Sequence, residues 1–278
     1  MLDLKGMRYV VFGVASNRSL AWAITKKLVV SGAQVQVVCQ DAVRERVFKL
    51  TQELSLPAPL TYDAQEAGSA DLCFASLAQS GPWHGIVHSI AHADSNELAG
   101  RFLDTSLPNF LMTMQISCFS FVDIARRAEA ILEKGGSILT LTFDASRGFY
   151  PHYNVMSLAK AALETAVMYA AADLGEKEIR VNAVSASPAD TPAARGISNF
   201  RLIGAFAAAL ALLGRRATPE EIANEAAYLL SPLSSGVTGQ VRFVDCGSSV
   251  STMPPARNAG MMADAMAKVW DIVQKPRT

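Results

Sequence analysis

The sequence contains few cysteines, no excess of charge of either sign and no long hydrophobic run. Its four cysteines are far apart and form neither a CxxC motif nor a Cys/His cluster: Cys39, Cys73, Cys118 and Cys246. This distribution excludes the disulfide framework of a small secreted protein and favours a reduced cytoplasmic protein with buried thiols. The N-terminal residues 1–6 show no signal-peptide pattern, which supports the same expectation.

The balance of charge and the spacing of apolar residues exclude further classes. The 25 basic and 25 acidic residues give a formal net charge of zero at pH 7, which argues against a general nucleic-acid binder. No apolar run reaches about 18 residues without a charged residue or a turn, so we expect no membrane span. The 278 residues, half of them hydrophobic, are enough to bury a large core without disulfides or metal.

Short apolar runs alternate along the chain with amphipathic, helix-like segments. The predicted strands are Tyr9–Phe12, Gln34–Cys39, Gly85–His88, Ser137–Leu141, Ile179–Val184 and Gln240–Val244. The predicted helices lie around residues 20–31, 43–54, 108–133, 155–173 and 219–230. This alternation indicates an α/β fold, a doubly wound parallel sheet of the Rossmann-like kind with helices on both faces. Because no linker divides the chain, we predict one domain over residues 1–250 and a C-terminal extension over 251–278.

The predicted extension carries a helical stripe of apolar residues. Met262, Met266, Val269 and Val273 recur at intervals of three or four residues, with Trp270 alongside. This face could cover a neighbouring subunit or the mouth of a pocket. It could equally pack on its own subunit.

The stretch from Phe143 to Glu164 joins a buried strand to a strongly helical segment. Tyr150 and Tyr153 lie at this junction, and Lys160 lies one or two turns into the helix. A phenol and an ammonium placed together at such a junction can stabilise a developing oxyanion.

The first strand leads into a turn of small residues, Gly13-Val-Ala-Ser-Asn-Arg-Ser-Leu-Ala21. Such a turn lets the pyrophosphate of a dinucleotide approach backbone amides at a helix N-terminus. Only Gly13 is a glycine, so the GxGxxG fingerprint is absent, and an ordinary turn with Ser19 as a helix cap is an equal interpretation.

The end of the second strand is where the adenine ribose of a dinucleotide lies in such folds. Gln40 can hydrogen-bond ribose hydroxyls, and no basic residue directly follows it to meet a 2′-phosphate. This favours NADH over NADPH, although Arg44 is close enough in sequence to weaken the inference. Asp63 is a candidate for the adenine amino group or, equally, a turn-forming aspartate.

Three histidines recur every four residues, at His84, His88 and His92. They fall on a predicted strand and the turn after it, where residues four apart are separated by about 13 Å. We therefore predict structural roles for them and no metal site.

In order along residues 5–250, several motifs together resemble the short-chain dehydrogenase/reductase superfamily. More narrowly, they are similar to its divergent branch, the NADH-dependent enoyl-acyl-carrier-protein reductases of fatty-acid synthesis. The motifs are Gly13–Ala21, Gln40, His88-Ser-Ile90, Tyr153-Asn-Val-Met-x-x-Ala-Lys160, Arg180-Val-Asn-Ala-Val-Ser-Ala-x-Pro188 and Ser235-Gly-Val-Thr-Gly239 with Val244-Asp245.

The spacing of tyrosine and lysine distinguishes this branch. Carbonyl-reducing members carry Tyr-x3-Lys and a serine 17 residues before the lysine, but here those positions hold Met156 and Phe143. Six residues separate Tyr153 from Lys160, as in the enoyl reductases. In enoyl reduction the oxyanion forms further from the hydride acceptor than in carbonyl reduction, which suits a phenol displaced by about one helical turn.

The resemblance implies a mechanism and a set of site residues. Tyr153 is expected to donate to the thioester carbonyl, and Lys160 to hold the nicotinamide ribose and to lower the pKa of Tyr153. Tyr150 is expected to pack or to form a wall. The expected cofactor-binding residues are Gly13, Ala15, Ser19, Leu20, Gln40, Asp63, Ala64, Ser89, Ile90, Ala91, Lys160, Pro188, Ala189 and Thr191. The expected substrate pocket comprises Phe143, Tyr153, Met156, Phe200, Ile203 and Phe206, the last three on a substrate loop and helix over residues 190–216.

The resemblance also implies an acyl-carrier-protein or CoA thioester as substrate and a cytoplasmic homotetramer. Some residues depart from the family pattern: Ala91, Ser187 and Cys246 stand where glycine is common. They could narrow the pocket or mark a specialised enzyme. The alternatives are a reductase of another carbonyl or activated double bond, and a cofactor-binding pseudoenzyme.

Overall fold

Seven parallel strands form a single sheet in the structure, a computed structural model that describes residues 2–191 and 200–273. The strands are β1 (Arg8–Phe12), β2 (Gln34–Cys39), β3 (Leu60–Thr61), β4 (Trp83–His88), β5 (Leu132–Thr142), β6 (Arg180–Ala186) and β7 (Val241–Val244). Their order is β3-β2-β1-β4-β5-β6-β7. The chain therefore reverses its direction across the sheet between β1 and β4. Ligands of such sheets bind at this reversal, beyond the carboxyl ends of the strands.

Helices cover both faces of the sheet. In the described part of the chain they are α1 (Leu20–Val30), α2 (Arg44–Glu53), α3 (Ser69–Ser80), α4 (Ser95–Leu98), α5 (Leu107–Met114), α6 (Ser120–Ala128), α7 (Asn154–Leu174), α8 (Phe200–Leu210), α9 (Pro219–Leu230) and α10 (Ala259–Val273). Tyr9 and Val11 of β1 pack with α1 and α9 on one face. Val10 and Phe12 pack with α3, α6 and α7 on the other. The period-two alternation of a strand thus supplies both cores, and the predicted doubly wound α/β fold is confirmed.

The structure contains one strand, β3, and two helices, α3 and the short α4, that the sequence analysis did not predict. Strand β3 has only two residues and lies between Pro59 and Tyr62, too short a run to show periodicity. Helix α3 begins after Gly68, which adopts a left-handed conformation with φ of 81°. Its sequence is rich in alanine and serine, and only Cys73, Phe74 and Leu77 are buried. Such a weakly amphipathic segment gives little sign of a buried face.

The helix predicted over 108–133 is wrong at its C-terminal end. A π-helical turn at Gln115–Phe119 interrupts it, and α6 ends at Ala128. Strand β5 then begins at Leu132, whose partner on β4 is Trp83. Leu132, Glu133 and Lys134 are good helix formers, but pairing with the sheet overrides that local preference.

The long helix α7 forms one wall of the core. The segment Asn154–Lys177 is long and apolar enough to cross a membrane by length and composition. This is weak evidence of a membrane span, because the buried helices of globular domains pass the same test. Val155, Ala159 and Leu163 of α7 are fully or almost fully buried, as in a helix packed on a sheet.

The predicted helical extension contains α10, which packs against α8 of the same chain. Ala265 is fully buried in this contact, and Met262 and Val269 are half-buried. Met266 and Trp270 face solvent, so the predicted stripe is only partly covered. The side chain of Val273 lies outside the described residues. The covered part of the stripe, Met262 and Val269, therefore packs on its own subunit.

Candidate active site

A cavity of about 520 Å³ opens beyond the carboxyl ends of β1, β4, β5 and β6. It lies where the direction of the sheet reverses, as expected for a ligand site of this fold. The predicted site residues that line it are Gly13, Ala15, Ser19, Leu20, Gln40, Asp63, Ala64, Ser89, Ile90, Ala91, Phe143, Tyr153, Met156, Lys160, Pro188, Ala189, Thr191 and Phe200.

The turn after β1 brings the N-terminus of α1 to this cavity. Gly13 has a φ of 93°, and a Cβ atom there would lie 2.0 Å from the carbonyl oxygen of Ser89. Glycine is therefore required for the turn to pass the end of β4. Ser19 caps α1, because its Oγ accepts a hydrogen bond of 3.3 Å from the Trp22 amide. Ser19 is therefore both the N-cap of α1 and a lining residue of the cavity. The positive end of the α1 dipole faces the cavity there, which suits the binding of an anion.

One wall of the cavity is formed by the ends of β2 and β3. The Gln40 side-chain amide donates to the Asp63 carboxylate over 3.2 Å. The other carboxylate oxygen accepts from the Gln65 amide at 2.9 Å, so Asp63 also stabilises the turn that follows it. Arg46 is hydrogen-bonded to the turn between β1 and α1, because its Nε donates to the Ala15 carbonyl over 2.9 Å. The sequence analysis considered Arg44 instead.

His88 lies at the end of β4, beneath the cavity. Its ring nitrogens lie 2.8 Å from the hydroxyls of Thr140 and Ser120. Burial, reinforced by the charge of Lys160, lowers the pKa of His88 to about 3, so the ring is neutral. His88 therefore fixes β4 to β5 and α6. No group of three or more possible metal ligands occurs in residues 2–191 and 200–273.

Tyr153 lies at the start of α7 in an aromatic cluster. Its ring centroid is 5.1 Å from that of Phe143, and Phe143 is 4.8 Å from Tyr150. Burial raises the pKa of Tyr153, so its phenol is neutral and donates a proton in hydrogen bonds near pH 7. The predicted lowering of this pKa by Lys160 is therefore wrong, because desolvation dominates. Tyr150 donates over 3.0 Å to Asp144 and does not line the cavity, so Tyr153 is the phenol of this cluster that does.

Lys160 lies two turns into α7, with its ammonium buried at the cavity wall. Its Nζ donates to the Leu141 carbonyl over 2.9 Å. Burial lowers the pKa of Lys160 to about 8, a shift that Cys118 and Glu164 oppose. Among the described residues, this hydrogen bond at the end of β5 is the one that fixes the ammonium. Its two other N–H groups remain available for a ligand in the cavity.

The segment after β6 supplies an orphan hydroxyl. Ser187 is buried and lines the cavity, and within the described residues its Oγ has no hydrogen-bond partner. A buried hydroxyl without a partner costs free energy unless a ligand or water satisfies it. With the α1 N-terminus and the Lys160 ammonium, it gives the cavity the polar groups that a dinucleotide's phosphates and ribose require. The residues present fit such a cofactor.

The sequence analysis missed the wall formed by Ser95 and Leu98 on α4. Asn154 holds this wall in place beside Tyr153. Its Nδ2 lies 3.3, 3.2 and 3.0 Å from the carbonyl oxygens of Glu97, Leu98 and Gly100. Asn154 adopts a φ of 32°, a conformation that asparagine tolerates better than most residues. The sequence feature that could have indicated this contact is the asparagine directly after Tyr153.

We expect Asn154→Ala to raise the KM for substrate about tenfold, because α4 loses the side-chain contacts that hold it against α7. Steady-state kinetics over a range of substrate concentrations checks this. Asn96→Ala, an exposed change on α4 itself, is the matched control and should leave KM unchanged. A KM for the Asn154 variant equal to that of the control would contradict the role given to Asn154.

Two predicted pocket residues do not line the cavity as the described residues define it. Ile203 is buried behind the wall, packed in one cluster with Phe143, Tyr153 and Met156. Phe206 lies one turn further along α8, and Phe200 is the residue of this helix that reaches the cavity. The helical periodicity gave the apolar face of α8, but not the point where it meets the pocket. Residues 192–199 of the predicted substrate loop lie outside the described residues.

The fold and the site define a dinucleotide-binding oxidoreductase of the short-chain dehydrogenase/reductase type. The family model described as Enoyl-(Acyl carrier protein) reductase matches residues 13–249. The chain is 48% identical over 246 residues to enoyl-acyl-carrier-protein reductase (NADH) 1 of Rhizobium meliloti (strain 1021), covering 88% of this chain and 90% of that protein. It belongs to the enoyl-(acyl carrier protein) reductase family.

Solved structures agree with this assignment. The enzyme of Anaplasma phagocytophilum in complex with NAD has a TM-score of 0.86 and 41% identity, covering 91% of this chain and 95% of that one. The enoyl-acyl carrier protein reductase of Bacillus cereus with NADP+ and indole naphthyridinone has a TM-score of 0.87 and 38% identity, covering 91% and 100%.

Proposed function

We propose that the protein is an NADH-dependent enoyl-acyl-carrier-protein reductase of fatty-acid biosynthesis. It reduces the double bond of a trans-2-enoyl thioester carried by acyl-carrier protein, with a CoA thioester as the alternative carrier. The observation that carries this proposal is the wall of the cavity at α7. Tyr153 and Lys160 both line the cavity there, and Phe143 occupies the place of a carbonyl reducer's serine.

The bound cofactor supplies a hydride to the β-carbon of the substrate. Lys160 would hold the ribose hydroxyls through the N–H groups that the Leu141 carbonyl does not use. The α1 N-terminus and Ser187 would hold the pyrophosphate, and Gln40 and Asp63 would hold the adenosine end. NADH is favoured over NADPH because Gln40 at the end of β2 can hydrogen-bond ribose hydroxyls and no basic residue directly follows it to meet a 2′-phosphate.

Tyr153 stabilises the negative charge that develops on the thioester oxygen. As hydride adds to the β-carbon, negative charge moves to the thioester oxygen, and the neutral phenol donates its hydrogen bond to that oxygen. Donor and oxygen meet in an apolar setting made by Phe143 and Met156, where the hydrogen bond is stronger than in water. A neutral phenol stabilises the enolate more strongly than the uncharged ground state, which lowers the barrier.

Oxidation of NADH in the presence of crotonyl and longer trans-2-enoyl thioesters tests the proposal. We expect turnover with these thioesters and much slower turnover with a matched 3-oxoacyl thioester. Preference for the 3-oxo compound would indicate carbonyl reduction instead. Replacement of NADH by NADPH in the same assay checks the choice of cofactor, and activity with NADPH alone would contradict it.

We further propose that the enzyme is a cytoplasmic homotetramer, as the resemblance implies. Large apolar side chains on α5, on the π-helical turn after it, on α6 and on α7 are exposed in the single chain, a distribution suited to contacts between subunits. They are Leu107, Leu111, Phe119, Val122, Leu158, Met168 and Tyr169. The four free cysteines suit a reducing compartment. Analytical ultracentrifugation should give four times the chain mass of 29.7 kDa. A monomer would contradict the proposed assembly.

A further inference from the structure

The C-terminal end of α8 is closed by a side chain from outside the helix. The Asn258 side-chain amide donates to the carbonyl oxygens of Ala209 and Ala211, at 3.0 and 2.9 Å. The last carbonyls of a helix have no partner within it and need one from elsewhere. Asn258 is 3% exposed, so this cap is buried and water cannot substitute for it.

The segment around Asn258 holds the same helix end by further contacts. The Arg257 guanidinium donates to the carbonyl of Leu212, just beyond α8. A Cβ atom on Gly214 would lie 3.1 Å from Asn258 Oδ1, so the chain leaving α8 passes close to the cap. Helix α10 follows directly and buries Ala265 completely. The extension is therefore docked on α8 by hydrogen bonds at one point and by packing along the helix.

The opposite end of α8 is at the active site. Phe200, its first residue, lines the cavity. Ile203, one turn later, packs in the cluster that contains Tyr153 and Met156. Because a helix of 11 residues behaves as a rigid rod of about 16 Å, a shift at its capped end moves Phe200 and Ile203 with it.

We propose that Asn258 is a positioning residue for the substrate pocket. By capping α8 from the C-terminal extension, it holds Phe200 and Ile203 against the Tyr153 cluster and so sets the affinity for the acyl chain. This role rests on the proposed enoyl reductase function. The C-terminal extension would thus help to shape the substrate pocket, through a residue some 100 positions beyond the catalytic motif.

The test compares Asn258→Asp with the wild type in the full-length protein. Aspartate has the shape of asparagine but no donor for the two carbonyls. Lys268→Ala, on the exposed side of α10, is the matched control, and Asn258→Ser retains one donor and is a milder variant should the aspartate fail to fold. Hydrogen exchange is measured over α8 and over β5, and KM is measured for crotonyl and dodecenoyl thioesters.

In Asn258→Asp we expect amide exchange in α8 to accelerate about tenfold and the KM for the dodecenoyl thioester to rise about tenfold. Exchange in β5, NADH affinity and the kcat for the crotonyl thioester should change by less than about twofold. The serine variant should lie between, and the control should match the wild type. This split separates positioning of the acyl pocket from general loss of stability.

Three results would overturn the inference. They are unchanged exchange in α8, an equal rise of KM for both thioesters, or a loss of NADH affinity as large as the loss for the long substrate. If the variants give one of these results and the wild type reduces enoyl thioesters, the proposed function stands and only the role of Asn258 is contradicted. A wild type that reduces neither thioester contradicts the proposed function itself.

Discussion

Replacing Tyr153 by phenylalanine is expected to lower kcat with an enoyl thioester by about 10²–10³-fold, the loss typical of one oxyanion donor. The change removes only the hydroxyl. The ring keeps its place beside Phe143, because that contact is between ring faces and edges, with centroids 5.1 Å apart. Since the interaction strengthens only as charge develops on the oxygen, kcat and kcat/KM should fall by similar factors. Steady-state kinetics with saturating NADH measures both.

Tyr150→Phe is the matched control for this experiment. It removes a phenol three residues away whose hydroxyl is bonded to Asp144 over 3.0 Å. We expect less than about a fivefold change in kcat, because the loss of that bond affects packing and not the reacting oxygen. Equal losses in the two variants, or full activity in Tyr153→Phe, would remove Tyr153 from the mechanism.

The choice between these two tyrosines shows what the sequence could predict about the site. Tyr153 at the start of α7 and Lys160 within it are only seven residues apart. Their relative position therefore depends on local helix geometry, which the sequence predicts directly. Asp63 and Ala64 follow the unpredicted strand β3, and Lys160 lies on α7. The other residues of the predicted cofactor site lie at the ends of strands β1, β2, β4 and β6 or at the start of α1. In a parallel sheet all carboxyl ends meet at one edge, so predicting the strands was enough to bring these residues together. The cavity accordingly contains all of the predicted cofactor residues.

What the sequence could not predict depends on contacts between distant segments. Asn154 and Asn258 are ordinary polar residues in the sequence, and their roles arise only from the carbonyl groups that the fold brings to them. Ile203 has the periodicity of a pocket residue, but it is buried in the cluster around Tyr153, and Phe200 is the residue of α8 that lines the cavity. The pKa of Tyr153 was predicted from the charge of Lys160 alone, whereas burial, which depends on the complete fold, dominates it.

Replacing Lys160 by methionine is expected to weaken NADH binding by about 10–100-fold, the loss of hydrogen bonds from a charged donor. Turnover at saturating NADH should also fall, because the nicotinamide ribose is no longer held. Fluorescence titration with NADH measures the affinity directly, without any substrate. Lys177→Met, an exposed change in the turn after α7, is the control and should bind NADH as the wild type does. Wild-type affinity in Lys160→Met would contradict the ribose role.

The same variant should reveal what burial of this ammonium costs. Burial lowers the pKa of Lys160 from its ordinary 10.5 to about 8, so between these pH values the unfolded chain binds more protons than the folded one. The free energy of unfolding of the wild type therefore rises with pH above about 8, by about 1.36 kcal/mol per unit, whereas below that value the full cost remains. Relative to Lys160→Met, the wild type should gain about 2 kcal/mol between pH 7 and 9.5.

Urea denaturation of both proteins at these two pH values measures this difference. Buried groups that do not interact with Lys160, such as Cys39 and Tyr9 with their raised pKa values, titrate in both proteins and cancel in the comparison. The Cys118 thiol does not cancel, because the charge of Lys160 lowers its pKa in the wild type alone. The Leu141 carbonyl loses its donor in the variant, an offset that does not depend on pH. A difference that stays constant with pH would mean that the ammonium is well solvated, and the site would then lack the desolvated charge assigned to it. A rising difference would show that the fold sacrifices stability at neutral pH to keep this cation at the cofactor.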